Sequence, residues 1–249
     1  MRRRFILFTS PTPAASESHL KSIDFNGVDE IMENTTENTI GIANAWSLMM
    51  WCKPTDTTFT VDAPIFVLDN ATDLSVMSTS HIGSAAGDPF EVVLFGSTGT
   101  LFKDYLYNNL LVGAVWQQIV LTWNGTTLQL YKNASTVAPT STPTNNAGTM
   151  TDTGRRVHIG DVGFWKGRMH SIALWSTALT AGNVTSIYNG GNGSAFDLST
   201  VQGSSLQHWW KLGKAGDIGG DSGIGTAINV NANSVNITEA DDAVTDSPS

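Results

Sequence analysis

The chain has 249 residues, of which 41% are hydrophobic and only 14% charged, with a formal net charge of -9. Such an average field repels the phosphate backbone of a nucleic acid, which argues against a nucleic-acid-binding role. Cys52 is the single cysteine, so no intrachain disulfide and no thiolate cluster can form, and the five histidines make neither an H-x-H nor an H-E-x-x-H pattern that would bring two imidazoles to one metal.

The first stretch, MRRRFILFTSPTPAASES, carries Arg2 to Arg4 and a short apolar run, Phe5 to Phe8, broken by Thr9, Ser10 and Pro11. An export signal needs an apolar run of about 7 to 15 residues, so residues 1–20 read as an extended, proline-punctuated arm that docks on a partner surface, against a disordered tail or a degenerate signal. Nothing along the chain approaches the roughly 20 apolar residues of a membrane helix. Next, SIDFNGVDEIME alternates apolar and polar residues at Ile23, Phe25 and Val28 around an Asn26-Gly27 turn, with Asp29, Glu30 and Glu33 read as exposed loop acids. AWSLMMWCKP is a dense apolar strand stopped by Pro54, and Cys52 within it is expected to be a buried, inert thiol. APIFVLDN, SVMSTS, FEVVLFG and TLFKDYLY continue the series at intervals of about ten residues, the spacing of a sandwich or barrel rather than of βαβ units.

WQQIVLTWNGTTLQLYKNAS reads as a β-hairpin in which Ile119, Leu121 and Trp123 share a core face with Leu128 and Leu130, and Asn124-Gly125 supplies a two-residue turn. Residues 134–154 are read as mainly surface loop. RRVHIG and GRMHSIALWSTAL give two more strands. Period-two alternation in the second puts Met169, Ala173 and Trp175 on one face and Ile172 and Leu174 on the other, so it is central and covered on both sides. LTAGNVTSIYNGG is the single helix, with Thr180 as N-cap, Val184, Ile187 and Tyr188 at helical spacing and Asn189-Gly190-Gly191 as its stop. LQHWWKLGKAGD makes a late strand, after which the chain is only weakly apolar.

In this order the segments resemble the laminin G-like, concanavalin A-like jelly-roll family found in phage and bacterial surface proteins. The resemblance spans roughly residues 22–213 and rests on SIDFNGVDEIME, AWSLMMWCKP, WQQIVLTWNGTTLQLYKNAS and VHIGDVGFWKGRMHSIALWSTALTAGNVTSIYNGG. It implies an all-β, two-sheet antiparallel sandwich with one short helix, divided as an arm over 1–20, a sandwich over 21–213 and a segment over 214–249 that packs on it or trails from it. Two positions depart from the family pattern: its glutamate at the start of the helix is Asn183, which loses a capping-box carboxylate, and its Asn-Gly after the tyrosine strand is Asn133-Ala134. The WWKLGKAGDIGGDSG run resembles a segment that many relatives carry before their first strand.

Related sandwiches that cleave glycans place carboxylates as E-x-D-x-x-E on one strand, and no such run occurs; nor is there a G-x-S-x-G elbow, a P-loop or a dinucleotide turn. No catalytic residue and no resident cofactor is expected. Because many relatives bind calcium through loop oxygens, LDNATD offers Asp69, Asn70 and Asp73 as calcium ligands, against ordinary turn chemistry. Trp165, Trp209 and Trp210 are the candidates for stacking on a sugar or filling an interface, against core packing; the last two, being neighbours in a strand, must point opposite ways, which makes one of them the better exposed.

The leading expectation is a non-enzymatic virion structural protein of a bacteriophage, a capsid decoration, head fibre or tail-fibre component at the virion surface. Its partners are capsid or tail proteins bound through the arm, host or environmental glycans, and copies of itself in a symmetric oligomer, expected to be a trimer. The retained Met1 and the missing export signal fit assembly inside a host cell. The alternatives are a carbohydrate-binding adhesion module of a secreted or cell-surface protein, and a divergent glycan hydrolase.

Overall fold

The computed structural model describes residues 21–42, 44–55, 62–70, 77–81, 89–96, 101–141, 144–145, 150–160, 165–212, 219–232, 243–244 and 246–249. The arm expected over 1–20 and Asp73 of the proposed calcium set lie outside them. In chain order the strands are β1 (Ser22–Asn26), β2 (Met32–Asn38), β3 (Trp46–Pro54), β4 (Ala63–Asp69), β5 (Met77–His81), β6 (Phe90–Phe95), β7 (Leu101–Tyr107), β8 (Gln117–Trp123), β9 (Leu128–Lys132), β10 (Ser135–Val137), β11 (Thr144–Asn145), β12 (Arg155–Ile159) and β13 (Lys166–Trp175). The helix α1 (Ala181–Tyr188) follows, then β14 (Leu206–Trp210), β15 (Asn231–Ala232) and β16 (Ala243–Val244). They form two antiparallel sheets: the first runs β10-β9-β8-β3-β13-β1-β16 with β14 also paired to β13, the second β11-β7-β6-β5-β4-β12-β2-β15. This is the jelly-roll sandwich that the sequence implies.

One apolar cluster fills the space between the sheets. Trp46, Leu48, Met50 and Cys52 of β3, Ile119, Leu121 and Trp123 of β8, and Leu128 and Leu130 of β9 meet Phe90, Val92 and Leu94 of β6 and Val157 and Ile159 of β12. Cys52 is fully buried, and burial pushes its thiol up to about 12, which keeps it protonated. The outward face of the first sheet is apolar as well. Met49 and Trp51 of β3, Val120 of β8 and Ala173 and Trp175 of β13 pack under Val184 and Ile187 of α1. A strand covered on both sides is buried throughout, as β8 is at every residue, whereas β6 alternates buried and half-buried because the second sheet is less covered. Thr180 caps α1 as expected. Asn183 still closes a capping box, because its amide oxygen accepts from the Thr180 backbone N–H at 3.1 Å, so the missing carboxylate removes charge but not the hydrogen bond.

Several local expectations are corrected. The β8–β9 hairpin is present, but Trp123 pairs with Leu128, which leaves residues 124–127 as the loop rather than a two-residue turn. The Asn124 side-chain oxygen accepts from the N–H groups of Thr126 and Thr127 at 3.0 and 2.8 Å, an Asx turn that competes with the shorter closure. Met169 faces the inter-sheet core together with Ile172 and Leu174, not with Ala173 and Trp175, because a bulge at Ser171, with φ 47°, inserts one residue and inverts the alternation. Residues 134–154 contribute the short strands β10 and β11. Val28 is 66% exposed, and Glu30 and Glu33, expected on the surface, are buried at 4% and 8%. Glu30 turns back to accept the Asn26 N–H and so closes the β1–β2 corner.

Beyond α1, β14 pairs with the second half of β13 while β1 pairs with the first half. Residues 219–230 then fold back over β14. Asp221 accepts from His208 Nδ1 at 2.6 Å and from the amides of Trp209, Gly223 and Ile228 at 2.9, 2.9 and 3.0 Å, while His208 Nε2 sits 2.9 Å from the Ile40 carbonyl. Gly223 passes so close that a Cβ there would lie 2.0 Å from the Gln207 carbonyl, so this crossing requires glycine.

Candidate functional site

The outward positions of β3 read Ser47, Met49, Trp51 and Lys53, and those of β13 begin with Arg168 and His170, so the apolar face under α1 gives way to a polar end. Register sets Lys53 opposite Arg168 and Arg168 opposite Asp24, a row of cation, cation and anion across three strands. Gly167 makes the close spacing of β3 and β13 possible: at φ 144° it has no side chain where a Cβ would meet the Lys53 carbonyl at 2.5 Å. The row floors a cleft of about 380 Å³ lined by Asp24, Lys53, Pro54, Thr55, Ala114 and Arg168.

Segment 246–249 reaches into this row. Asp246 accepts from Lys53 Nζ at 2.7 Å, from the Trp116 indole N–H at 2.9 Å and from the Arg168 guanidinium, whose Nε also holds Asp24 at 3.1 Å. Burial opposes ionisation of Asp246, but hydrogen bonds from Lys53, Trp116 and Arg168 outweigh it and bring the carboxyl down to about 2. His170, fully buried, stands edge-on to Trp116 with ring centroids 6.4 Å apart. The row is therefore a carboxylate cradle: an ammonium, a guanidinium and an indole N–H converge on one anion.

The outward face of the second sheet carries a second polar row. His158 Nδ1 lies 3.4 Å from Glu33 and its Nε2 lies 3.2 Å from Asp69, while Arg156 grips Asp69 with two hydrogen bonds of 3.0 and 3.1 Å and reaches the Asn70 carbonyl at 2.6 Å. Burial raises the Asp69 carboxyl, and the hydrogen bonds and charges of His158 and Arg156 more than reverse this, so it lies below its ordinary value. In the described part of the proposed calcium set, the Asp69 carboxylate and the Asn70 backbone carbonyl are thus both engaged by the Arg156 guanidinium. Among the described residues no group of three or more His, Cys, Asp or Glu side chains is placed to hold a metal. On the same face Glu91 is pushed up to about 7 by burial and by Asp104 and Asp62.

The three aromatic candidates are all interior. Trp165 and Trp210 are fully buried between the sheets, and Trp209, which does point the opposite way from Trp210, is 4% exposed beneath the outer cluster with Lys211 Nζ 4.3 Å above its ring. None presents a ring face to solvent. The residues of the cleft were not singled out by the sequence. Asp24 and Arg168 could be read as outward positions of their strands, but nothing in the local pattern tied Asp246 to a partner 193 positions away.

The family model for the concanavalin A-like lectin/glucanases superfamily matches residues 30–185. No curated protein sequence matches the chain significantly. Among solved structures, a protein from Bacteroides ovatus ATCC 8483 assigned as carbohydrate binding superposes with TM-score 0.60 at 16% identity, covering 91% of this chain and 62% of that one, so this chain spans less than two thirds of its length. The native heptameric SAP-like pentraxin from Limulus polyphemus superposes with TM-score 0.51 at 14% identity over 70% of this chain and 83% of that one. At these identities the likeness is one of fold. With that fold, and with a family match over more than half of its length, the chain belongs to the laminin G-like branch of the concanavalin A-like lectin/glucanases superfamily.

Proposed function

We propose that the protein is a non-enzymatic, lectin-like recognition module that binds glycans through the cleft over Asp24, Lys53 and Arg168 and works as a homo-oligomer on a virion surface. The cleft carries the binding part of this reading. Its volume of about 380 Å³ suits one or two sugar rings, and it offers a carboxylate, an ammonium, a guanidinium and a hydroxyl for sugar hydroxyls. Asp246 is held ionised there by Lys53, Trp116 and Arg168, so it is not poised as the protonated acid that glycoside cleavage needs. Binding of a glycan array by the purified chain, with and without chelator, tests the binding part; no binding on any glycan refutes it. The virion setting is supported by the basic and apolar arm sequence, Arg2 to Phe8, which suits docking on a capsid or tail protein. Mass spectrometry of purified particles tests it: a stoichiometric component is expected, and absence would favour the secreted or cell-surface adhesion module.

A second reading, a divergent glycan hydrolase, has one observation in its favour. Glu91, raised to about 7, lies diagonally across β6 and β7 from Asp104, since their respective partners are Leu106 and Val93. Diagonal cross-strand positions are about 7 to 8 Å apart, within the carboxyl separations that glycosidases use. Release of reducing ends from polysaccharides by the wild type, abolished by Glu91→Gln, would establish this reading; no release refutes it.

A further inference from the structure

We infer that the cradle of Lys53, Trp116 and Arg168 at the edge of the cleft is a carboxylate-recognition site which Asp246 occupies in cis, and that the ligand of the cleft is an acidic saccharide whose sugar carboxylate replaces the side chain of Asp246. This rests on the reading of the cleft as a glycan site and names the class of glycan. Lys53 and Arg168 stand directly opposite each other on adjacent strands, a like-charge pair that destabilises a sheet face unless anions neutralise it. Asp24 provides one anion, through Arg168 Nε, and Asp246 the other. With Asp246 withdrawn, an ammonium, a guanidinium N–H and the Trp116 indole N–H all point at one empty position. Three charge-assisted or aligned donors on a single carboxylate make a far more specific receptor than is needed to tack down a strand end.

The Asp246 carboxylate is the charged anchor of the segment, beside the burial of Pro248 and, just upstream, the pairing of β16 with β1. The segment's other described anchors are the Ser22 hydroxyl donating to the Asp246 carbonyl at 2.6 Å and the Ser194 N–H donating to the Pro248 carbonyl at 3.1 Å. Exchange of one carboxylate for another conserves the charge-assisted hydrogen bonds of the cradle, so a competing acid displaces the segment at little electrostatic cost. What surrounds the cradle selects the rest of the ligand. Asp24 and the Thr55 hydroxyl line the adjoining space, and an anionic acceptor beside the cradle favours hydroxyl donors and repels a second negative group. A single carboxylate on a polyhydroxylated ring, a uronic or an ulosonic acid, satisfies both conditions; an acidic peptide run does not.

The test titrates the full chain and its Asp246→Ala and Asp246→Asn variants with a neutral oligosaccharide bearing one terminal galacturonate, with its methyl ester and with an oligosaccharide bearing one terminal sialic acid, by calorimetry. Asp246→Ala is expected to bind one of the two acidic probes at least tenfold more tightly than the wild type, the gain that corresponds to a cradle self-occupied in about nine molecules of ten. The gain should be absent for the methyl ester, fall with added salt, and disappear when Lys53→Met or Arg168→Met is added. Which acid responds separates uronate from ulosonate. Asp246→Asn keeps the shape of the side chain and serves if the alanine variant does not fold. Folded variants that bind neither acid more tightly than the wild type overturn the inference. If the wild type then binds neutral glycans, the lectin reading survives alone; if no variant binds any glycan, both fall.

Discussion

Removing the Asp221 carboxylate should be one of the most damaging single changes outside the inter-sheet core. The side chain accepts four hydrogen bonds, from His208 Nδ1 and from the amides of Trp209, Gly223 and Ile228, and both members of the His208–Asp221 pair have side chains only 1% exposed. Leaving a buried donor without its acceptor costs about 1 to 3 kcal/mol. A hydrogen bond to a charged group contributes roughly 1.5 to 3 kcal/mol, but the four do not add, because a loosened segment lets water reach the orphaned amides. Asp221→Ala should therefore lose about 4 kcal/mol, a large part of a typical stability of about 5 to 15 kcal/mol. Urea unfolding followed by tryptophan fluorescence measures the loss, since Trp209 and Trp210 flank the site, and hydrogen exchange should speed up at the amides of Trp209, Gly223 and Ile228. A loss under about 1 kcal/mol, within the range of an ordinary surface substitution, would refute the reasoning. The pH dependence follows from the same contacts. Burial raises the Asp221 carboxyl, but hydrogen bonds from His208 and the three amides lower it below its ordinary value. A group depressed in the folded state stabilises above its unfolded pKa, about 3.9 for aspartate, and loses that contribution as pH falls through the folded value. Between pH 5 and pH 3 the wild type should thus lose more stability than Asp221→Asn.

Ala134 sits at φ 65° in the two-residue turn that joins Lys132 to Ser135, where an L side chain costs about 1 to 2 kcal/mol and glycine almost nothing. Ala134→Gly should stabilise the chain by about 0.5 kcal/mol after the added flexibility of the unfolded state is subtracted, measured as a rise in urea midpoint at constant slope. Gly167→Ala should cost about 3 kcal/mol, because the new Cβ meets the Lys53 carbonyl, a backbone atom that cannot swing away, and the residue is held at φ 144°. Cys52 should resist a thiol reagent at pH 8 in the folded chain and react fully in denaturant, because burial holds it protonated with a pKa of about 12.

The features legible in the sequence were those set by short-range alternation and turn chemistry. The inward rows of β3, β8 and β9, and the Thr180 cap of α1, depend on residues within one element, so a local pattern suffices to find them. Errors arose where one residue changed the count or where the partner lay far away. The bulge at Ser171 reversed the faces assigned to Met169 and Ala173, and a bulged strand looks in sequence like an unbulged one of the opposite register. Glu33 was read as a loop acid because its partner, His158, comes from another strand. One of Trp209 and Trp210 reads in sequence as the better exposed, because alternation tells which way a side chain points but not that α1 and its flanking turns lie on the side of Trp209. The cleft escaped notice for the same reason, since it joins Asp24, Lys53, Arg168 and Asp246 from four separate segments.

The distribution of polar groups on the first sheet limits where a ligand can sit. Outward residues in the middle of β3 and β13 are apolar and already buried against Val184 and Ile187 of α1, and Ser47 at the far end is taken up by the Thr177 carbonyl at 2.9 Å and the Leu179 N–H at 2.8 Å. A sugar placed there would have to displace packed side chains. Toward Lys53 and Arg168 this face keeps charged donors beside open volume, and there the donors converge on a carboxylate supplied by the chain itself. The cover provided by α1 is built into the packing and cannot be exchanged without loss of core, whereas the cover provided by Asp246 is a set of charge-assisted bonds that another carboxylate reproduces. On the reading proposed above, a ligand on this sheet enters by replacing Asp246, and an inert outer face is expected if the bond between segment and cradle outlasts every acid offered to it.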